Sequence, residues 1–114
     1  MRGENFLTEP RQYERVYSQG ISRTSGPVIM KVIPNSLEFS RYGISVSRRV
    51  GNAVTRNKVK RRIREILRLS VLNPGWDMVF IARASAAGCD YEWLSKNIRS
   101  LLIKEKIVVL GESG

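Results

Sequence analysis

Residues 41–68 read RYGISVSRRVGNAVTRNKVKRRIREILR. The stretch changes its period part-way. From Arg41 to Ser47 it alternates, with Tyr42, Ile44 and Val46 on one face and Gly43, Ser45 and Ser47 on the other, which is the repeat of a half-buried strand. Beyond Gly51 the repeat becomes helical. At about 100° per residue, Val59, Ile63, Ile66 and Leu67 form one apolar stripe, while Asn57, Arg61, Arg64 and Arg68 fall opposite it and Lys60 sits at the edge of that polar face. Asn52 and Thr55 can each cap the helix start, and Asn73-Pro74-Gly75 is expected to end the helix after about Leu72. A strand that runs into a helix with one apolar stripe argues for a sheet covered by helices.

The flanks extend this reading. Thr8-Glu9-Pro10 reads as a helix start, with Thr8 as N-cap and the proline in the first turn. Tyr13, Val16 and Tyr17 follow at helical spacing, and Gly20 stops the helix. A short strand is expected at Gly20–Arg23, a turn at Ser25-Gly26-Pro27, and a β-rich run at Val28–Ile33 ended by Pro34-Asn35-Ser36. Trp76–Ala84 contains a continuous apolar stretch that suits a strand buried on both faces. Asp90 caps a last helix with Leu94, Ile98, Leu101 and Leu102 on one side. The order is helix, two or three strands, helix, strand, helix: a single α+β domain over residues 1–114, a sandwich with helices against one sheet.

Charge narrows the function. The 114 residues hold 20 Lys plus Arg against 10 Asp plus Glu, a net charge of +10. That excess on so small a body points to a polyanionic partner, nucleic acid or an acidic membrane. Half of the cations lie in the quoted window, where Glu65 is the one acid. Arg56, Lys58 and Lys60 stand in the first turns of the helix, where its dipole disfavours cations by roughly 0.3–1 kcal/mol each. An anion docked there would meet the dipole, free N–H groups and side chains together. A helix at a membrane surface fits poorly, because the apolar stripe carries no Trp or Phe and is needed by the core.

Other classes fall away. With no His and one Cys, Cys89, there is no His-based triad, disulfide or thiolate zinc site. A lone Cys suits a reducing compartment such as cytoplasm. The runs Met78–Ala82 and Ile107–Leu110 are too short to span a membrane, and the start Met-Arg-Gly-Glu-Asn lacks a signal core.

Ser45-Val46-Ser47-Arg48-Arg49-Val50-Gly51-Asn52-Ala53-Val54-Thr55-Arg56-Asn57-Lys58-Val59-Lys60-Arg61-Arg62-Ile63-Arg64-Glu65 resembles the signature of the bacterial ribonuclease P protein subunit, V-G-x-A-V followed by R-N-x-x-K-R-x-x-R. Tyr13–Gly20 resembles that family's first helix, with two aromatics before a glycine, and Gly75–Arg83 resembles its last strand. Together these segments cover nearly the whole chain.

The resemblance implies an α-β-β-β-α-β-α two-layer sandwich, like the second domain of a small-subunit ribosomal protein, with a left-handed β-α-β crossover. It implies the protein component of an endoribonuclease. Such a protein binds ribonuclease P RNA and precursor tRNA, without DNA or membrane, in a cytoplasmic ribonucleoprotein of one protein per RNA. The RNA, with magnesium that it mainly binds itself, removes the 5′ leader, and the isolated protein is inactive. Carried over by residue, the RNA-facing set is Arg48, Arg49, Arg56, Asn57, Lys58, Lys60, Arg61, Arg64 and Arg68, and the leader cleft holds Tyr13, Tyr17 and Lys31. Lys58 stands where the motif commonly has Arg, which keeps the charge. Tyr13 and Tyr17 stand where Phe is frequent. Lys31 replaces an aromatic of some relatives and suggests a phosphate contact.

Several residues have plainer readings. Tyr13 and Tyr17 could equally be core packing. Trp76 and Trp93 read as core anchors, Cys89 as an incidental thiol, and Glu65 as a partner for neighbouring cations. Asp77, Asp90 and Glu65 form no two-metal cluster, so no catalytic residue is assigned. Changing Asp77 or Glu65 to its amide is expected to leave cleavage chemistry intact and to alter stability by about 1 kcal/mol. The rival readings are a ribosomal protein, a DNA-binding helix and an autonomous metallonuclease. The signature argues against the first. The missing short helix and tight turn argue against the second, and the dispersed acids against the third.

Overall fold

A computed structural model of the chain describes residues 5–108. The N-terminal residues read above as lacking a signal core lie outside that range up to position 4, as does the end of the apolar run at 109–110. The elements are α1 (Pro10–Gln19), β1 (Ile21–Ser25), β2 (Val28–Pro34), β3 (Arg41–Val46), α2 (Ala53–Arg68), β4 (Trp76–Ala82) and α3 (Tyr91–Lys104). Short 3-10 turns at Arg48–Val50 and Ala84–Gly88 follow β3 and β4. The order of elements is the expected one.

The strands form one sheet in the order β1-β2-β4-β3. β1–β2 and β2–β4 are antiparallel, and β3–β4 is parallel, joined by α2 in a β-α-β crossover. Parallel neighbours need such a crossover, which is why the basic helix sits between them in sequence. On one face, Val59, Ile63, Ile66 and Leu67 of α2 and Leu94, Ile98, Leu101 and Leu102 of α3 pack on Val28, Met30, Val32, Met78 and Phe80. This is the sandwich core. The other face carries α1 and a smaller cluster of Leu7, Val16 and Val79. β4, buried on both faces, therefore reads as a continuous apolar run.

Several boundaries move. The cap of α1 is Glu9, not Thr8: the Gln12 side chain reaches back, and its Oε1 accepts from the N–H groups of Thr8 (2.7 Å) and Glu9 (2.9 Å). Gly20 does end α1, but through close approach; its backbone is extended, and a Cβ there would stand 2.5 Å from the Val16 carbonyl oxygen. Asn52, of the two candidate caps, starts α2, its Oδ1 accepting from Thr55 N–H at 3.0 Å. α2 ends at Arg68, short of Leu72, because the chain is drawn into long-range pairing. Leu72 bridges to Val108, and Asn73 N–H donates to the Ile107 carbonyl at 2.6 Å. Asp90 caps α3, accepting from Trp93 N–H at 2.8 Å. Trp76 packs against the core, but Trp93 is 51% exposed, with Lys96 Nζ 5.8 Å from its ring centroid. Trp93 lies one position off the stripe Leu94–Ile98–Leu101 that α3 buries, so it cannot anchor the core.

Candidate nucleic-acid interface

The exposed face of α2 carries Asn57, Lys60, Arg61, Arg64 and Arg68, with Lys58 exposed beside them and Arg56 partly buried. Arg48 and Arg49, both exposed, occupy the 3-10 turn before the helix. The buried stripe fixes this: once Val59, Ile63, Ile66 and Leu67 face the sheet, the intervening residues have no other direction. Arg68 pairs with Glu65 at 2.8 Å. Among the described residues, Arg48, Arg49, Arg56, Lys58, Lys60, Arg61 and Arg64 form no ion pair. Arg56 Nε is buried with no hydrogen-bond partner, an orphaned donor in the first turn of the helix. Arg62 instead turns toward α3, its Nη1 donating to the Cys89 carbonyl at 3.1 Å.

The other candidate surface lies across the sheet. Lys31, Val79 and Gly43 stand side by side on β2, β4 and β3, and α1 runs over this row. Tyr17 sits by Lys31, whose Nζ is 5.6 Å from the ring centroid. Val16 packs on Val79. The Tyr13 ring covers Gly43 so closely that a Cβ there would overlap it. The two tyrosines differ accordingly. Tyr13 is half-buried, and burial, then the neighbouring Tyr17, push its hydroxyl pKa up. Tyr17 is 39% exposed. The next row, Ile29, Ile81 and Ser45, is only partly covered and lies beside α1 on the same sheet face.

α1 is held over the sheet from its far side. Asp77 is buried on β4, where Arg41 Nε donates to its Oδ1 at 2.9 Å and Arg41 Nη2 to its Oδ2 at 2.7 Å. Asn35 Nδ2 adds a third bond at 2.8 Å. Arg15 of α1 stands 3.7 Å from the same carboxylate and donates to the Pro34 carbonyl at 3.1 Å. Burial alone would push the Asp77 carboxyl up; the hydrogen bonds from Arg41 and Asn35 and the charges of Arg41 and Arg15 outweigh it and hold it below the ordinary carboxylate value.

Residues 1–106 match the family model described as Ribonuclease P. The chain belongs to the ribonuclease P protein family. It is 44% identical over 108 residues to the ribonuclease P protein component of Dehalococcoides mccartyi, covering 95% of this chain and 90% of that one. It is 36% identical over 106 residues to the component of Clostridioides difficile, covering 90% and 93%. Its fold resembles the RNase P protein of Staphylococcus aureus (TM-score 0.84, 28% identity, 94% of this chain and 100% of that chain). It also resembles that of Thermotoga maritima (TM-score 0.78, 30% identity, 87% and 96%). A ribonuclease P protein is a subunit of the endoribonuclease complex of tRNA processing and partners the ribonuclease P RNA.

In this ribonuclease P protein the candidate residues thus fall on two surfaces on opposite faces of one sheet, and a third feature joins them. Residues 5–7 run along the free edge of β3, with Leu7 N–H donating to the Tyr42 carbonyl at 3.0 Å. Leu7 is buried beneath α1, while Phe6 packs edge-on to Tyr42 and lies 5.5 Å from the Arg64 guanidinium. Sequence reasoning missed Phe6, Gly43 and Arg15. A glycine within an otherwise regular strand was the one available signal, since it marks a place where something approaches closely. Among the described residues no group of acids and Cys could hold a metal ion; Asp77 is committed to Arg41 and Asn35, and Glu65 to Arg68. Burial, then Asp90, push the Cys89 thiol up against the pull of Arg62, which agrees with an unreactive thiol.

Gly43→Ala tests how α1 packs on this face. The added methyl should displace the Tyr13 ring, at a cost of roughly 1–3 kcal/mol. Thermal melting reads the cost; an unchanged melting temperature would show that the ring moves freely.

Proposed function

We propose that α2 and the turn before it face the ribonuclease P RNA through Arg48, Arg49, Arg56, Asn57, Lys58, Lys60, Arg61, Arg64 and Arg68. The sheet face beside α1 takes the single-stranded 5′ leader of precursor tRNA. The observation that carries this reading is the basic face of α2 and the turn before it, where Arg48, Arg49, Arg56, Lys58, Lys60, Arg61 and Arg64 form no ion pair among the described residues and Arg56 Nε, in the first turn, is buried without a hydrogen-bond partner. Clustered like charge without partners costs stability. Phosphate supplies the missing anions, and guanidinium groups match its oxygens in pairs.

The face beside α1 suits an unpaired strand. The half-exposed ring of Tyr17 offers a stacking surface that tolerates any base, and Lys31 offers a cation for the backbone. Precursor and mature tRNA differ by the leader, so leader contacts favour the substrate over the product. In this reading magnesium and the hydrolysis belong to the RNA subunit, and the protein contributes no catalytic group. The protein screens phosphate repulsion and positions the leader, as a single 1–114 domain and one copy per RNA, in the cytoplasm. No helix among the described residues is long and apolar enough to cross a membrane.

The test is reconstitution with ribonuclease P RNA on precursor tRNA at low magnesium, comparing wild type with Tyr17→Ala. The variant should bind precursor more weakly by roughly 1–3 kcal/mol. Mature-tRNA binding, assembly with the RNA and melting temperature should stay nearly unchanged. A precursor preference that survives in a well-folded variant would remove Tyr17 from the leader path.

A further inference from the structure

At the C-terminal end of the α2 basic face lies a cavity of about 310 Å³ that shares only Arg68 with the contacts proposed above. The buried residues Tyr42 and Leu67 line it, together with Phe39 from the β2–β3 connection, Leu72 from the segment after α2, and Arg68 and Asn5.

Both walls are built. Asn35 Oδ1 accepts from Leu37 N–H at 2.7 Å, and Asn35 Nδ2 donates to the Phe39 carbonyl at 3.2 Å and to buried Asp77 at 2.8 Å. Ser40 Oγ donates to the Asn73 carbonyl at 2.6 Å and accepts from Trp76 N–H at 3.0 Å, which ties the two walls together. Held by these bonds, Phe39 still leaves 42% of its surface in water. An exposed aromatic on a backbone held in place can cover a flat partner at reduced entropic cost.

The surroundings indicate which partner. Asn5 adjoins Phe6, which contacts Arg64, and Arg68, paired with Glu65, lines the cavity together with the exposed Glu38, so the cavity adjoins the basic face and carries charges of both signs. Its lining mixes apolar rings with polar groups, as an aromatic heterocycle with hydrogen-bonding edges requires. We propose that the cavity receives one extrahelical nucleobase of the RNA, stacked on Phe39, with its flanking phosphates against Arg64 and Arg68. Sequence-specific RNA recognition commonly takes this form, an unstacked base on an aromatic side chain. The inference rests on the reading that α2 faces RNA.

The experiment compares Phe39→Ala, Phe39→Tyr and Arg64→Ala in complexes with ribonuclease P RNA, reading affinity across a salt series. Phe39→Ala should weaken binding about 5- to 100-fold, as for other stacked bases. Its salt dependence should match wild type, since no phosphate contact is lost. Phe39→Tyr keeps the ring and should restore affinity. Chemical probing of base edges should show one unpaired nucleotide protected in the wild-type complex and exposed with Phe39→Ala. Unchanged affinity and probing in a folded Phe39→Ala variant would overturn the inference. So would equal losses in Phe39→Ala and Phe39→Tyr, or an effect confined to self-association of the RNA-free protein. If Arg64→Ala also changes neither affinity nor salt slope, the RNA-facing reading of α2 falls as well; if only Phe39→Ala is silent, the cavity assignment falls alone.

Discussion

Replacing Arg61 and Arg64 together with alanine is expected to lower affinity for ribonuclease P RNA by roughly 10- to 100-fold at moderate salt, and to flatten its salt dependence by about two counterions. Both side chains are exposed and form no ion pair among the described residues, so their removal breaks no ion pair in the protein. The helix exchanges two good helix formers for two alanines, the best of them, so the fold should hold. Affinity falls because each guanidinium that meets a phosphate releases condensed cations, and that gain is largest at low salt. The single variants should each flatten the slope by about one counterion. Arg64→Ala also removes the cation over the Phe6 ring, so its affinity loss should slightly exceed that of Arg61→Ala. Measured slopes identical to wild type, in folded protein, would show that these side chains do not meet phosphate.

The second large effect is on stability. Asp77→Asn is expected to destabilise the protein by roughly 2–4 kcal/mol near neutral pH, well above the 1 kcal/mol expected from sequence. The carboxylate is 1% exposed and takes three hydrogen bonds, two of them from Arg41. An amide turns one acceptor into a donor that faces another donor, and it leaves Arg41 with no counter-charge in a partly buried position. The melting temperature should fall by about 10–20 °C for a domain of this size.

The pH dependence identifies the cause. The Asp77 pKa is lowered on folding from its ordinary 3.8. Its contribution is therefore complete above that value and is lost as pH falls through the lower folded value. The gap between wild type and Asp77→Asn should be constant from about pH 5 upward and narrow below about pH 3.8. A gap that does not change with acid would assign the effect to packing. Because Asp77 also holds Arg15 and hence α1, the variant should disturb the leader-binding face before it disturbs the basic face. Cleavage chemistry in the assembled complex should persist.

Sequence periodicity alone determined the element order, the α2 and α3 core stripes, the basic face opposite them, and the α+β class. These features repeat locally, so neighbouring residues report on one another. The family signature is likewise continuous in sequence, which is why α2's candidate residues were legible one by one. What depended on distant pairing was not legible. The end of α2 is decided by Leu72 meeting Val108, and the cap of α1 by a glutamine side chain folding back. Trp93 reads as a core anchor until the phase of α3 turns it into water.

The unequal roles of the two tyrosines needed the sheet. They share a helix face, yet one meets a glycine on β3 and the other a lysine on β2, two strands apart in space and joined through β4. The Asp77 network gathers Arg15, Asn35 and Arg41 from three separate segments around one buried charge. A buried carboxylate must collect every donor within reach, and only the tertiary fold decides which donors those are.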